Sequence, residues 1–123
     1  MVVKIVLDTN AILYLLGGKL AQALPPGQYL ISVISEMELL SYPSLNESEQ
    51  LRLQGFLSEL TVVDITEEVK ELAIRLRKQH LLKLPDAIVA ATALAFGATL
   101  ITNDAKLLRV PGLSSREIKL KQG

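Results

Sequence analysis

The fold is decided by residues 2–10, VVKIVLDTN. Apolar residues dominate this stretch up to Asp8, a pattern typical of a strand that is buried on both faces of a parallel sheet. The next apolar run, residues 11–16, ends at Gly17 and Gly18, as expected for a helix. Asp8 is therefore predicted to lie between the carboxyl end of a strand and the start of a helix. Ligands of open α/β sheets bind at that edge.

Composition restricts the classes of protein to consider. The 123 residues are half apolar and poor in aromatic side chains, which favours a single α/β domain spanning residues 1–123 with a substantial core. The sequence has no cysteine and one histidine, which excludes disulfides and thiolate metal sites and disfavours a histidine-rich zinc site. Thirteen basic and thirteen acidic side chains cancel, so nucleic-acid binding would need a local patch, a bound cation or a partner.

Targeting signals are not apparent in the sequence. The amino terminus lacks the features of a signal peptide, and no apolar run approaches the roughly 20 residues that span a bilayer. We therefore expect a soluble, cytoplasmic protein without membrane contact.

Strand and helix patterns alternate along the chain. After the first strand, strands are expected at residues 29–33, 61–65 and 98–102, with an edge strand at 117–121. Helices are expected at residues 11–16 and 34–40, after a cap at Ser44 or Asn46, after a cap at Thr66, and at 87–96, with a short helical turn at 19–24. Right-handed crossovers between covered strands then predict a three-layer α/β/α sandwich around a mainly parallel sheet.

Four acidic residues occupy similar places in this pattern. Asp8 follows the first strand, Glu38 lies early in the helix after the second, and Asp104 follows the fourth, so parallel strands bring them to one rim. Asp86 joins them if the basic segment 77–83 leads the chain there. One pair of carboxylates at 4 Å costs roughly 4 kcal/mol at an effective dielectric near 20. A bound Mg²⁺ or Mn²⁺ would offset that repulsion.

Each acid also has a purely structural explanation. Asp8 can cap its helix, Glu38 can close a capping box with Ser35, Asp86 can interact with a helix dipole, and Asp104 can form an Asx turn. For any one acid the structural explanation is preferable. Their number and common position favour a metal site.

Four sequence blocks resemble the motif blocks of the PIN domain, and most closely those of the small VapC-like toxins of prokaryotic toxin–antitoxin pairs. The blocks are VLDTN at 6–10, ISVISEMELL at 31–40, LPDAIVAATA at 84–93 and LITND at 100–104. They occur in the family's order and cover nearly the whole chain. The resemblance implies a Rossmann-like fold, a Mg²⁺- or Mn²⁺-dependent endoribonuclease, an RNA substrate, a cognate antitoxin and a homodimer.

The resemblance also implies roles for individual residues. It makes Asp8, Asp86 and Asp104 the main metal ligands and catalytic acids, with Glu38 as a further ligand or as the residue that orients the attacking water. Polar positions that line such sites match Asn10 and Thr102. The Glu-Leu-Leu context selects Glu38 over Glu36, which lies about 200° away around the helix. One departure is AKLL at 105–108, where the family often has a second acid and a phenylalanine.

Two other functions could also use the acidic residues. A phosphate-accepting receiver domain would need an acceptor Asp after its third strand and a lysine after its fifth. Asp64 lies within an apolar run, and no such lysine is present, so this hypothesis is disfavoured. The second is a catalytically silent PIN-like module that only binds protein or RNA.

A basic cluster lies at the end of the helix that follows Thr66. It is consistent with contact to an RNA backbone or with cations at a helix carboxyl end. It comprises Arg75, Arg77, Lys78, His80 and Lys83.

Overall fold

In a computed structural model that describes residues 2–122, the chain folds around a five-stranded parallel sheet in the order β3-β2-β1-β4-β5. The strands are β1 (Lys4–Leu7), β2 (Gln28–Ser32), β3 (Thr61–Val63), β4 (Thr99–Ile101) and β5 (Ser115–Arg116). The helices are α1 (Thr9–Leu16), α2 (Val33–Leu40), α3 (Glu47–Leu57), α4 (Glu67–His80), α5 (Leu84–Ala95) and α6 (Ala105–Leu108). The predicted α/β class and parallel sheet are confirmed.

Alternation along the central strand β1 divides the core into two layers. Val6 packs in a cluster with α4 and α5, whereas Ile5 and Leu7 pack in a second cluster with α1 and α3. Both faces of the sheet are therefore covered, which explains why β1 is apolar almost throughout. The result is the predicted α/β/α sandwich, with β1 hydrogen-bonded between β2 and β4.

Polar side chains cap the amino termini of α1, α2, α3 and α4. Asp8 caps α1 and Ser32 caps α2. Asn46, one of the two predicted residues, caps α3 in a capping box with Glu49, and Thr66 caps α4 as predicted. Each cap satisfies an amide that the first helical turn leaves without a partner. The strands and caps together fix where the helix amino termini meet the sheet edge.

Two predictions, for residues 19–24 and for residues 117–121, were wrong. Residues 19–24 form no helical turn, and residues 117–121 form no strand apart from an isolated antiparallel bridge between Leu20 and Leu120. The edge strand is β5 instead. The backbone amide of Ala21 donates to the carbonyl of Lys119, and the backbone amide of Lys121 donates to the carbonyl of Lys19. The two segments thus satisfy each other's backbone groups, a long-range pairing that their local patterns do not encode.

No helix within residues 2–122 is long and apolar enough to cross a membrane.

Candidate metal and catalytic site

A pocket of about 390 Å³ opens at the carboxyl edge of the sheet and brings the four predicted acids together. Asp8 comes from the end of β1, Glu38 from α2, Asp86 from the first turn of α5, and Asp104 from the residues after β4. The remaining lining residues are Thr9, Asn10, Leu13, Ser41, Tyr42, Pro43 and Val89. Parallel strands and the α4–α5 connection therefore deliver all four carboxylates to one rim.

Asp8 is the most buried of the four acids, with 8% of its surface exposed. One carboxylate oxygen, Oδ1, accepts a hydrogen bond from the amide of Ala11 at 2.7 Å, and the other accepts one from the Thr102 hydroxyl. Burial raises the pKa of Asp8, the Thr102 and Ala11 hydrogen bonds oppose that rise, and the charges of Asp104 and Glu38 add to it. Asp8 is therefore both a helix cap and a pocket residue.

Thr102 connects two of the acids from beneath the pocket. It is fully buried, and its hydroxyl donates to Asp8 while accepting from the Asp104 amide at 3.0 Å. We predicted that Thr102 lines the site, but it lies under the lining and holds two of its members. Asn10, the other predicted polar residue, is exposed and does line the pocket.

Asp104 begins a helix that the sequence did not reveal. Its Oδ1 accepts from the amides of Lys106 at 2.8 Å and Leu107 at 3.3 Å, and so caps the four-residue helix α6. The sequence predicts only a turn here, because a helix of one turn has no measurable periodicity. The cap anchors one oxygen of Asp104 on its own backbone.

Glu38 is held by Thr9, a contact that sequence reasoning missed. The Thr9 hydroxyl donates to Glu38 Oε1 at 2.7 Å. The alternative capping box between Ser35 and Glu38 is wrong because Ser32 caps α2 instead. Glu36 does not line the pocket, as its position on the helix predicted. The position of Thr9 directly after Asp8 was the available signal, but the contact crosses 29 residues.

Asp86 reaches the pocket because the chain turns sharply between α4 and α5. Leu81 ends α4 in the left-handed conformation, and Pro85 lies in the first turn of α5. Burial raises the pKa of Asp86, and the charges of Asp104, Asp8 and Glu38 raise it further, whereas Lys83 lowers it. The predicted condition on segment 77–83 is thus fulfilled, and an uncompensated negative charge accumulates at the rim.

This raised pKa predicts a pH-dependent stability. A carboxyl whose pKa is above its unfolded value of 3.8 contributes most below pH 3.8, and that contribution is lost as the pH rises through the folded pKa. Above it, metal-free protein carries the cost of charged Asp86. Because Asp86 is only half-buried and solvent screens its charge, Asp86→Asn should stabilise metal-free protein at pH 7 by no more than about 1 kcal/mol, and by less at pH 4.5. Urea unfolding at both pH values, with Asp64→Asn as control, measures this. An equal or opposite effect at the two pH values would contradict it.

The donor set of the pocket suits a hard divalent cation. Four carboxylates line it without a lysine, arginine or histidine among the described lining residues. Within residues 2–122, no group of three or more acids or histidines is already arranged to hold an ion. Mg²⁺ commonly keeps several waters and binds through one or two carboxylates. The pocket has room for such waters, since each occupies about 30 Å³ of liquid volume. The residues therefore fit a partly hydrated Mg²⁺ or Mn²⁺.

The sequence was compared with models of known protein families. The family model of the PIN domain matches residues 5–113. The chain belongs to the PIN-domain family. Membership implies a nuclease and confirms the resemblance predicted from the four sequence blocks. No curated protein sequence matches the chain significantly.

This PIN domain is similar in structure to VapC-like proteins. A chain of a toxin–antitoxin complex from Klebsiella pneumoniae is 32% identical, with a TM-score of 0.74 over 88% of this chain and 93% of that one. A chain of VapBC2 from Rickettsia felis bound to a promoter DNA fragment is 25% identical, with a TM-score of 0.78 over 94% and 99%. PAE2754 from Pyrobaculum aerophilum, at 18% identity and a TM-score of 0.68, shares the fold.

Proposed function

We propose that this PIN domain is a Mg²⁺- or Mn²⁺-dependent endoribonuclease. The observation that carries the proposal is the convergence of four carboxylates on one pocket whose described lining holds no basic side chain. Their mutual repulsion is a cost to folding, and a divalent cation would remove it. A cation bound there would lower the pKa of a water and stabilise charge on the phosphodiester during hydrolysis.

Each residue of the pocket has a role in this proposal. Asp8, Asp86 and Asp104 hold the cation as catalytic metal ligands. Glu38 either joins them or accepts a hydrogen bond from the attacking water, and the Thr9 hydroxyl fixes its carboxylate for either task. Asn10 is exposed at the pocket and can donate its amide to a phosphate oxygen. Water attacks the phosphorus directly and the P–O bond to the leaving-group oxygen breaks, so no covalent enzyme intermediate forms.

The partners follow from the same family. We propose that the chain is the toxin of a toxin–antitoxin pair, that it binds a cognate antitoxin, and that it forms a homodimer in the cytoplasm. The likeness to chains of the Klebsiella complex and of VapBC2 supports the antitoxin. We also propose that residues 1–123 form one PIN domain, because five strands make a single sheet with an apolar cluster on each face.

Metal removal tests the proposed activity. A pool of structured and single-stranded RNAs should be cleaved by the protein with Mn²⁺ or Mg²⁺ and left intact with EDTA. Saturating Mn²⁺, at 100 times its Kd, should stabilise the fold by about 2.7 kcal/mol. A rise in melting temperature without cleavage would favour a catalytically silent binding module. The absence of both cleavage and a rise in melting temperature would refute the metal site.

Thr9→Val tests the positioning of Glu38. Valine keeps the size of threonine but cannot donate to Glu38 Oε1, so the carboxylate loses its orientation. Residues that orient metal ligands typically affect metal affinity or activity by about 10- to 100-fold. We expect a decrease in cleavage rate of about tenfold, with Thr9→Ser close to wild type because it keeps the hydroxyl. Equal rates for all three proteins at the same Mn²⁺ concentration would exclude this role.

A further inference from the structure

Part of the wall of the acidic pocket is apolar and aromatic. Leu13, Tyr42 and Pro43 line the pocket together with the four acids. The sequence has three tyrosines, two phenylalanines and no tryptophan. Among these aromatic residues, all of which lie within residues 2–122, Tyr42 alone is exposed, at 42% of its surface. The chain therefore presents its one accessible aromatic ring at the pocket that holds the candidate metal ligands.

The backbone holds Tyr42 close to Glu38. Tyr42 follows Glu38 by four residues, the spacing that brings two side chains onto one face of a helix, and both residues line the pocket. The backbone amide of Tyr42 donates to the carbonyl of Leu39 at 3.2 Å. Pro43 restricts the backbone of the residue before it. The ring is therefore attached to a fixed point of the pocket rim, within about one helical turn of a candidate metal ligand.

The charge of the pocket makes an aromatic ring useful for binding RNA. RNA is a polyanion, the four acids are negative, and no lysine, arginine or histidine is among the described lining residues. A divalent cation neutralises only the phosphate that it contacts, so the rest of the nucleotide needs a contact that does not depend on positive charge. Stacking of a base on an aromatic ring is such a contact, and it commonly contributes about 5- to 150-fold in affinity per base.

We propose that Tyr42 is a substrate-binding residue, and that one unpaired base beside the scissile phosphate stacks on its ring. The inference rests on the nuclease proposed above and names the part of the RNA that this pocket recognises. Every base has a π face, so the ring does not select one base over the others. Bases inside a duplex are stacked on their neighbours, whereas those of single strands can be splayed out. The ring therefore selects RNA that is unpaired at the cleavage site.

Tyr42→Leu tests the ring because it removes the aromatic face and keeps an apolar side chain. With single-stranded RNA and Mn²⁺, we expect kcat/KM to fall about 5- to 150-fold. The fall should come mainly from a higher KM, because stacking acts in the bound substrate and in the transition state alike. Tyr42→Phe keeps the ring and should retain most of the wild-type value. Equal kcat/KM for Tyr42→Leu and wild type would overturn the proposal and leave the ring as a contact for a protein partner.

Tyr14→Leu is the matched control, since Tyr14 lies on α1 outside the pocket. It makes the same change of side chain and should cleave RNA at the wild-type rate. An abasic nucleotide then identifies the stacked base once the cleavage site is mapped. Its removal should lower the wild-type kcat/KM as much as Tyr42→Leu does, and lower that of the variant little further, because both changes remove one contact. Multiplicative effects at every nucleotide would contradict the contact.

A binding measurement distinguishes failure of this inference from failure of the nuclease. Single-stranded RNA hexamers that carry 2-aminopurine report stacking, because the fluorescence of this base is quenched when it stacks. Ca²⁺, which carboxylates also bind, replaces Mn²⁺ in this measurement. We expect quenching by the wild type and by Tyr42→Phe, and its loss with Tyr42→Leu. Such quenching in a protein that cleaves no RNA would support the ring contact and refute the nuclease. RNA cleavage without quenching that depends on Tyr42 would refute the ring contact alone.

Discussion

Asp86→Asn is expected to reduce metal-dependent RNA cleavage by a thousandfold or more. Asparagine has almost the same shape as aspartate and keeps one carbonyl oxygen, but it removes the negative charge that attracts the cation. Loss of one well-placed electrostatic group commonly costs about 10²- to 10³-fold in rate, and here the same change also weakens binding of the metal. The measurement is the single-turnover cleavage rate at several Mn²⁺ concentrations.

Asp64→Asn provides a matched control for this experiment. Asp64 is the one aspartate of the sequence that does not line the pocket, and it lies exposed just after β3. The Asp64→Asn variant should cleave RNA at the wild-type rate. Because Asp86→Asn should also stabilise metal-free protein, its loss of activity cannot be attributed to unfolding. An active Asp86→Asn variant would remove Asp86 from the proposed ligand set.

The opposite effects on stability and activity follow from the position of Asp86. Its burial and its three acidic neighbours raise its pKa, so the charged form is unfavourable in the absence of a cation. The same concentration of negative charge would attract a cation. Natural sites commonly retain such destabilising groups because function requires them. The chain thus keeps at Asp86 a charge that its fold alone would not select.

Local sequence patterns predicted the position of the acids well. The apolar run of β1, its stop at Asp8 and the alternation of strands with helices are encoded by neighbouring residues. Parallel strands place their carboxyl ends at one edge, so Asp8, Glu38 and Asp104 could be brought together without a structure. Asp86 required the extra assumption about segment 77–83, which the turn at Leu81 fulfils.

The features that were missed depend on distant contacts. The hydrogen bond between Thr9 and Glu38 joins residues 29 positions apart. The pairing of residues 19–21 with 119–121 joins the segment after α1 to the segment after β5. Neither leaves a periodic signal in the sequence. Helix α6 was missed for a different reason, since four residues are too few for a helical period to show. Thr102 was assigned to the site, but its place beneath it required the fold.

Thr102→Val is expected to have the largest effect on the fold. The Thr102 hydroxyl donates to Asp8 and accepts from the Asp104 amide, and valine of similar shape can do neither. Leaving a buried polar group without its partner costs about 1–3 kcal/mol. Two groups are affected, but Asp104 is exposed and its amide can reach water. We therefore expect a loss of about 2 kcal/mol in the free energy of unfolding.

A second buried threonine separates the loss of this bridge from the loss of any buried hydroxyl. Thr92 is 1% exposed, and its hydroxyl donates to the carbonyl of Ile88 within α5. In an α-helix the carbonyl of Ile88 also accepts the backbone amide four residues on, so it keeps a partner when the hydroxyl is removed. Thr92 does not line the pocket. Thr92→Val should therefore cost less than about 1 kcal/mol and leave Mn²⁺ binding unchanged. Thr102→Val should also weaken Mn²⁺ binding, because Asp8 loses the hydrogen bond that lowers its pKa. Equal unfolding energies and equal Mn²⁺ affinities for the two variants would show that the bridge has no special role.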